Sequence, residues 1–362
     1  MSEQFRWRLE EDEEAEQPAL FAADSAMERR KGIGEFKGLE FLHVRAKKII
    51  NPVPGQSRMP FRFTINAYRG CSHACVYCFA RPTHEYLNLN LGEDFDSKIV
   101  VKVNAVERLR AELRNKSWKG DAIAMGTNTD PYQRCEGKYR LTRGLIEVMS
   151  EMRNPFSVLT KSTLLLRDFD LIATAATRTD VQVSFSVGTL DSEGWRKSEP
   201  GTPHPKQRIE AIRRLAAAGV RTGVLVAPIL PGISDGRDQI QAVVEAAVGA
   251  GAQSIGVSPL YLQPEVKEHW MKWLIDAYPN LVSQYEDLYS GRAYLPAAQR
   301  KEVSELGRNL VRLERRRQEV PISLISKPDS FRRNYKGKGG ETSSEPGGNT
   351  AIDLGEQLMF PA

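Results

Sequence analysis

The sequence has 362 residues, of which 41% are hydrophobic, so it is long enough for one large α/β domain or two smaller domains. It has no run of 18 or more apolar residues, and the acidic block from Glu10 to Glu14 is unlike a signal or transit peptide, so we expect neither a membrane span nor export. Three of the four cysteines fall within eight residues, which is unlike a secreted disulfide framework, and we expect a cytoplasmic protein.

The net charge of +5 is unevenly distributed along the sequence. Residues 1–30 carry nine acidic and four basic side chains, so the remaining residues carry a net charge of +10. Basic side chains concentrate near the C-terminus, in the segments 312–317 and 332–338. This excess suits a polyanionic partner such as DNA or RNA, although a solvated helix face followed by a loose tail explains it equally well.

Strand and helix patterns alternate through the middle of the chain. Residues 1–35 lack a steady hydrophobic period and predict a flexible acidic extension. From residue 36 to residue 261 the helices follow strands, and Asn104 and Thr142 are predicted helix N-caps. Six strands are predicted, at 61–66, 122–125, 156–160, 181–187, 223–228 and 254–259. Such units imply parallel strands with right-handed crossovers, and they predict an α/β fold with a partial, open (β/α)6 TIM-type barrel.

The strand pattern stops at about residue 261. Residues 262–335 predict a mainly helical appendage, which includes a helical stripe of aliphatic residues. The members of that stripe are Val303, Leu306, Leu310 and Leu313. Residues 336–362 are rich in glycine and polar residues and predict a disordered tail.

A compact cysteine motif, Cys71-Ser-His-Ala-Cys75-Val-Tyr-Cys78, follows the first predicted strand. In barrels of this type the reactive groups lie on the loops that follow the strands. Three thiolates can hold an iron–sulfur cluster and leave one iron of a four-iron cubane without a protein ligand. The alternatives are a zinc site with His73 or His84 as the fourth ligand, or plain buried cysteines.

The cysteine spacing, with an aromatic residue before the last cysteine, resembles the radical S-adenosylmethionine (radical SAM) superfamily. Three longer stretches resemble its spore photoproduct lyase-like subgroup, the SplB-type DNA repair photolyases. They are the residues from Asn66 to Cys71, from Cys78 to Tyr86 and from Gly126 to Tyr132. The resemblance covers roughly residues 40–335.

This resemblance implies a 4Fe-4S cluster on the three cysteines and S-adenosylmethionine as the second cofactor. Reductive cleavage of that cofactor then gives a 5′-deoxyadenosyl radical, which abstracts hydrogen from a substrate. The expected partner for reduction is a low-potential electron donor, either flavodoxin or ferredoxin.

The resemblance also suggests which residues bind the cofactor. Thr129 and Asp130 correspond to contacts of its amino group, although a turn that leads into a helix is the alternative for Asp130. Lys161 ends the third strand and would pair with the methionine carboxylate, unless it forms a surface salt bridge. Ser186 would bind a ribose hydroxyl, or else be an ordinary strand serine, and Tyr77 would lie against adenine, or else belong to the core.

Two departures from the subgroup put thymine-dimer repair in doubt. Spore photoproduct lyase returns hydrogen to its product from a cysteine in the segment that corresponds to 126–130, where Thr127 stands here. The spare Cys135 is expected near the same rim as a shifted catalytic hydrogen donor, or else as a structural thiol. In addition, Phe79 replaces the usual tyrosine after the last cysteine.

Three functions remain open on the sequence alone. The first is a radical SAM enzyme acting on nucleic acid, with a damaged base as the first candidate substrate. This function agrees with the tail from Glu356 to Phe360, which loosely resembles peptides that bind bacterial sliding clamps, so a clamp is an expected partner. The second is a radical SAM enzyme that modifies a peptide, a tRNA or a cofactor precursor, and the third is a non-catalytic zinc-binding nucleic-acid module.

Overall fold

The computed structural model describes residues 27–54 and 59–319. The strands within these ranges are β1 (Glu28–Lys31), β2 (Glu40–Val44), β3 (Ile50–Pro52), β4 (Phe63–Ile65), β5 (Tyr68–Arg69), β6 (Lys98–Lys102), β7 (Ile123–Met125), β8 (Phe156–Thr160), β9 (Val181–Ser186), β10 (Arg221–Ile229) and β11 (Ser254–Pro259). The α-helices are α1 (Glu93–Ser97), α2 (Ala105–Leu113), α3 (Glu136–Tyr139), α4 (Leu141–Glu151), α5 (Phe169–Arg178), α6 (Ser192–Ser198), α7 (Pro205–Ala217), α8 (Arg237–Gly249), α9 (Pro264–Ala277), α10 (Val282–Leu288) and α11 (Ala297–Arg317). Short 3-10 helices occupy Gly34–Phe36, Arg81–Leu87, Thr163–Asp168 and Pro279–Leu281.

The main sheet has the strand order β11-β10-β9-β8-β7-β4-β3. Six neighbouring strands of this sheet pair in parallel, namely β4, β7, β8, β9, β10 and β11. They correspond to the six predicted strands, which confirms the α/β barrel-type fold. The register places Val158 beside Met125 and Val183, and all three side chains are buried in the main core. Because β3 joins one edge as an antiparallel strand, the sheet gains a seventh member that the sequence did not predict.

A second sheet, with the order β1-β2-β6-β5, was not predicted. Its outer strand β1 lies in the segment 1–35, which was predicted to be flexible, and that prediction is wrong for 28–31. Glu28 lies opposite His43 and Lys31 lies opposite Glu40 in an antiparallel ladder. All four β1 side chains are exposed, so no hydrophobic alternation marks this strand, and main-chain hydrogen bonds hold it. Residues 1–26 lie outside the described part of the chain.

Neither predicted N-cap makes the capping hydrogen bond. Asn104 does precede α2, but its side chain donates to and accepts from the backbone of Ala46, at 3.0 and 2.8 Å. Thr142 lies inside α4, where its hydroxyl donates to the carbonyl of Pro131 at 2.5 Å. Both side chains therefore stabilise loops rather than helix ends.

The C-terminal helices form a second core that reaches the cysteine motif. Trp270 of α9 and Tyr285 of α10 are buried in one cluster with Cys75 and Tyr77. From α11, Val303 and Leu310 pack against the main core, whereas Leu313, predicted in the same stripe, is 55% exposed. Helices α9 and α10 thus pack against the cysteine loop, whereas α11 packs against the main core, and the predicted tail 336–362 lies outside the described residues. No helix in the described ranges is long and apolar enough to cross a membrane.

Candidate active site

The three clustered cysteines lie in the loop that follows β5. Cys71 and Cys75 are buried and Cys78 is half-buried. Burial raises the pKa of all three thiols, and Asp130 and the two other cysteines raise the pKa of Cys71 further. All three thiols lie within one loop of eight residues. Because a bound metal deprotonates its thiol ligands, occupation of this site must release protons.

Arg81 binds the backbone of the cysteine loop, a role that the sequence analysis did not predict. Its side chain is 1% exposed and donates twice to the carbonyl of Cys75, at 3.0 and 3.2 Å. It also donates to the carbonyls of Leu91 and Gly92, both at 3.0 Å, and pairs with Asp96. The sequence feature that could have indicated this role is the position of Arg81, three residues after the last cysteine and directly before a proline.

The end of α6 and the turn that follows it also bind the backbone of the cysteine loop. The amide of Val76 donates to the carbonyl of Ser198 at 3.1 Å, and the amide of Gly201 donates to the carbonyl of His73 at 3.0 Å. A Cβ atom at Gly201 would lie 2.3 Å from the carbonyl oxygen of Ser72. Glycine is therefore required here because the two backbones approach too closely for a side chain.

Gly201→Ala is expected to displace the cysteine loop and to lower the iron content of the reconstituted protein severalfold. The added methyl group would overlap backbone atoms, which cannot move without moving Cys71 and Cys75. The matched control is Gly137→Ala, since a Cβ there meets no atom within 4 Å. Equal iron content in both variants, measured after anaerobic reconstitution, would contradict this account.

In the described part of the chain, the two histidines beside the cysteines do not complete a zinc site with them. The Nδ1 atom of His73 lies 3.4 Å from the carboxylate of Asp130. The Nε2 atom of His84 is 2.9 Å from the carbonyl of Lys98. Among the described residues, no three histidine, cysteine or carboxylate side chains converge on a single ion position. A cubane does not require such convergence because each thiolate binds a different iron atom.

Three of the predicted cofactor residues meet beside Cys75. The ammonium of Lys161, at the end of β8, donates to Ser186 Oγ at 2.7 Å and to Glu199 Oε1 at 2.9 Å. It also lies 5.6 Å from the centroid of the Tyr77 ring, and the Tyr77 hydroxyl donates to the same Glu199 oxygen. Because Tyr77 lies between Cys75 and Cys78 in the sequence, its bond to Glu199 places this polar group next to the cysteine loop.

Thr129 and Asp130 lie at the same end of the sheet, and both side chains form hydrogen bonds within the protein. Thr129 donates to the carbonyl of Gly70 at 2.7 Å. The Asp130 carboxylate accepts from Thr160 Oγ1 and from the amide of Lys161, both at 2.7 Å. Burial raises the pKa of Asp130, but His73 and these hydrogen bonds outweigh burial and hold it below its usual value. The described contacts therefore agree with the turn alternative, and the contact of Asp130 with the cofactor stays a prediction.

Cys135 is not part of this group. It was expected near the rim, but it is fully buried in the main core, directly before α3. Burial raises the pKa of its thiol well above the usual value, and Glu136 adds to this rise. Its full burial favours the alternative of a structural thiol, and its role as a hydrogen donor stays a prediction.

Comparison with known proteins agrees with this geometry. The profile described as "Radical SAM superfamily" matches residues 65–246. An uncharacterized protein of Mycobacterium tuberculosis is 46% identical over 271 residues, which cover 75% of this chain and 80% of that protein. An uncharacterized protein of Methanocaldococcus jannaschii is 32% identical over 199 residues, or 54% of this chain and 70% of that protein. A "Radical SAM Nalpha-GlyT isomerase" of Pseudomonas phage M6 is 28% identical over 181 residues, or 49% of this chain and 35% of that protein.

Among solved structures, a mutant of spore photoproduct lyase with dinucleoside spore photoproduct has the same fold. The TM-score is 0.54 at 19% sequence identity, and the match covers 75% of this chain and 78% of that chain. The family implies an enzyme that uses S-adenosylmethionine and an iron–sulfur cluster, and the buried thiols of the cysteine loop fit such a cluster. The fold is thus similar to that of spore photoproduct lyase, and the chain belongs to the radical SAM superfamily.

Proposed function

We propose that this protein is a radical SAM enzyme in which Cys71, Cys75 and Cys78 hold a 4Fe-4S cluster. The observation that carries the proposal is the meeting of Tyr77, Lys161 and Ser186 beside this loop. When bound, the cluster and S-adenosylmethionine together supply a 5′-deoxyadenosyl radical for hydrogen abstraction from a substrate.

The residues of the chain bind and orient the cofactor in this proposal. Lys161 offers a positive charge to the methionine carboxylate, Ser186 offers a hydroxyl to the ribose, and the Tyr77 ring offers an apolar face to adenine. The burial of Cys71 and Cys75 limits the access of water to the site. Cys78 is the more exposed thiol, so an electron donor such as flavodoxin or ferredoxin would approach on its side.

The test is anaerobic reconstitution followed by iron and sulfide analysis and by measurement of 5′-deoxyadenosine after reduction. The proposal expects about four irons per chain, as three thiolates on one cubane require, and release of 5′-deoxyadenosine with dithionite or reduced flavodoxin. One tightly bound zinc and no 5′-deoxyadenosine would instead establish the non-catalytic zinc module.

For the substrate, we propose a nucleic-acid base. Tyr261, directly beyond the C-terminal end of β11, lies 4.6 Å from the Tyr294 ring, and the Arg300 guanidinium lies 5.4 Å from the Tyr294 centroid. Half-exposed tyrosines with an arginine are typical platforms for stacked bases. Arg312 and Arg316, further along α11, are also exposed. The spore photoproduct lyase mutant of similar fold was solved with dinucleoside spore photoproduct, so DNA bases are the first class to test.

Tyr294→Ala is expected to weaken binding of single-stranded oligonucleotides about tenfold, because base stacking on one aromatic ring contributes about 1–3 kcal/mol. Fluorescence anisotropy at fixed salt would measure this change. Tyr86→Ala is the control, since Tyr86 is also an exposed tyrosine but lies in the 3-10 helix after the cysteine loop. If the two variants lose affinity equally, the aromatic pair is not a stacking site. If deuterium never moves from labelled DNA or RNA into 5′-deoxyadenosine, the substrate is of another class, such as a peptide or a cofactor precursor.

A further inference from the structure

Glu199 lies at the centre of the polar group beside Cys75, yet the proposed function gives it no role. It is buried in the turn after α6. Its Oε1 atom accepts from Lys161 and from the Tyr77 hydroxyl, and its Oε2 atom accepts from Arg208 at 2.6 Å. One carboxylate thus links two side chains that were predicted to touch the cofactor, and both of its oxygens are fixed.

Arg208 of α7 anchors this carboxylate to the backbone. Its side chain is fully buried and donates to the carbonyl of Pro203, at 2.8 and 3.0 Å, and to the carbonyl of Ser186 at 2.9 Å. The same guanidinium donates to Glu199 and, at 2.5 Å, to Thr202 Oγ1. Because its donors are directed to protein acceptors, Arg208 has no role in binding a ligand directly.

The charges in this group do not balance. Two cations, Lys161 and Arg208, share the single carboxylate of Glu199. Burial raises the pKa of Glu199, but Arg208 and Lys161 outweigh burial and hold it well below its usual range, so the carboxylate is ionised. Arg208 is enclosed, whereas the Lys161 side chain is 14% exposed, so the uncompensated positive charge faces the site at Lys161. An ammonium has three N–H donors, and two of them are used by Ser186 and Glu199.

We infer that Glu199, anchored by Arg208, is a positioning residue that directs the third donor of Lys161 towards the carboxylate of S-adenosylmethionine. The inference rests on the proposed function. Glu199 also holds the Tyr77 hydroxyl, so one side chain sets the distance between the cationic and aromatic parts of the site. The partial compensation of charge matters because a second carboxylate beside Lys161 would repel the carboxylate of S-adenosylmethionine.

The test compares the affinities of S-adenosylmethionine and of its decarboxylated analogue, measured by equilibrium dialysis on the reconstituted, unreduced protein. The wild-type protein should prefer the carboxylate form. Glu199→Gln keeps the shape of the side chain but removes its charge, and we expect it to weaken binding of S-adenosylmethionine about tenfold, as for loss of one charged hydrogen bond, with little effect on the analogue. The preference should fall to that of Lys161→Met.

If Glu199 had a purely structural role, Glu199→Gln would bind S-adenosylmethionine and the decarboxylated analogue less tightly by the same factor. That result would overturn the inference. Glu193→Gln, at an exposed glutamate of α6 that pairs with Lys197, should behave as the wild type. If Glu199→Gln does not fold, Glu199→Asp decides, because it keeps the charge and withdraws the carboxylate by one methylene. A preference of Glu199→Asp for S-adenosylmethionine over the analogue that lies between those of the wild type and of Lys161→Met supports the inference. A preference equal to that of the wild type overturns it. A wild-type protein that binds neither iron nor S-adenosylmethionine would refute the proposed function itself, a result distinct from these.

Discussion

Replacement of Cys75 by alanine is expected to abolish reductive cleavage of S-adenosylmethionine. The variant leaves two thiolates for a cluster that needs three protein ligands. Cys75 is also the ligand whose own carbonyl Arg81 holds and whose neighbours are Lys161 and Glu199. Loss of this thiolate therefore affects both cofactors. The measurements are iron per chain and 5′-deoxyadenosine formed after reduction.

Cys135→Ala is the matched control, because it removes an equally buried thiol that lies in the main core and outside the site. We expect it to cost about 1 kcal/mol of stability, as is typical of a point mutation, and to leave iron content and cleavage at wild-type levels. Cleavage retained in Cys75→Ala would show that the ligand assignment is wrong. Cleavage lost in Cys135→Ala would contradict the structural placement of that thiol.

The parts of the fold that the sequence predicted correctly are those with a local signal. The cysteine motif spans eight residues, and each of the six parallel strands is a short segment of apolar or alternating residues beside a helical pattern. Strand β1 could not be predicted in this way, because none of its side chains is buried. Its existence depends on pairing with β2, which is a property of the folded backbone and not of the pattern of side chains.

The same distinction applies to the site. The positions of Lys161 and Ser186 could be predicted because Lys161 directly follows β8 and Ser186 ends β9, at the same edge of the sheet. Glu199 could not, since its role arises from contact with Tyr77, which is 122 residues distant in the sequence. For Cys135 the sequence left two roles open, a hydrogen donor and a structural thiol, and only the folded chain shows that its side chain is fully buried in the main core.

Arg81→Met is expected to destabilise the protein by about 3 kcal/mol, since breaking a buried ion pair leaves one charge without a partner. This loss is at the low end of the usual range because Asp96 is partly exposed. The carbonyls of Cys75, Leu91 and Gly92 would lose their donor as well, so the cysteine loop should bind iron poorly. Chemical denaturation of the cluster-free protein, and iron content after reconstitution, measure the two effects separately.

The matched control is Arg110→Met, which breaks an exposed pair with Glu151 and should cost less than about 1 kcal/mol.

The pH dependence of the stability of Arg81→Met gives a further check. Burial raises the pKa of Asp96 to about 6, and Arg81 opposes that rise. Without Arg81 this pKa rises further, so the folded variant holds a proton that the unfolded chain has lost, and a proton bound only in the folded state stabilises it as the pH falls. The stability deficit of Arg81→Met should therefore shrink as the pH is lowered from about 8 to about 6, and a deficit independent of pH would show that Asp96 is not the group that Arg81 compensates.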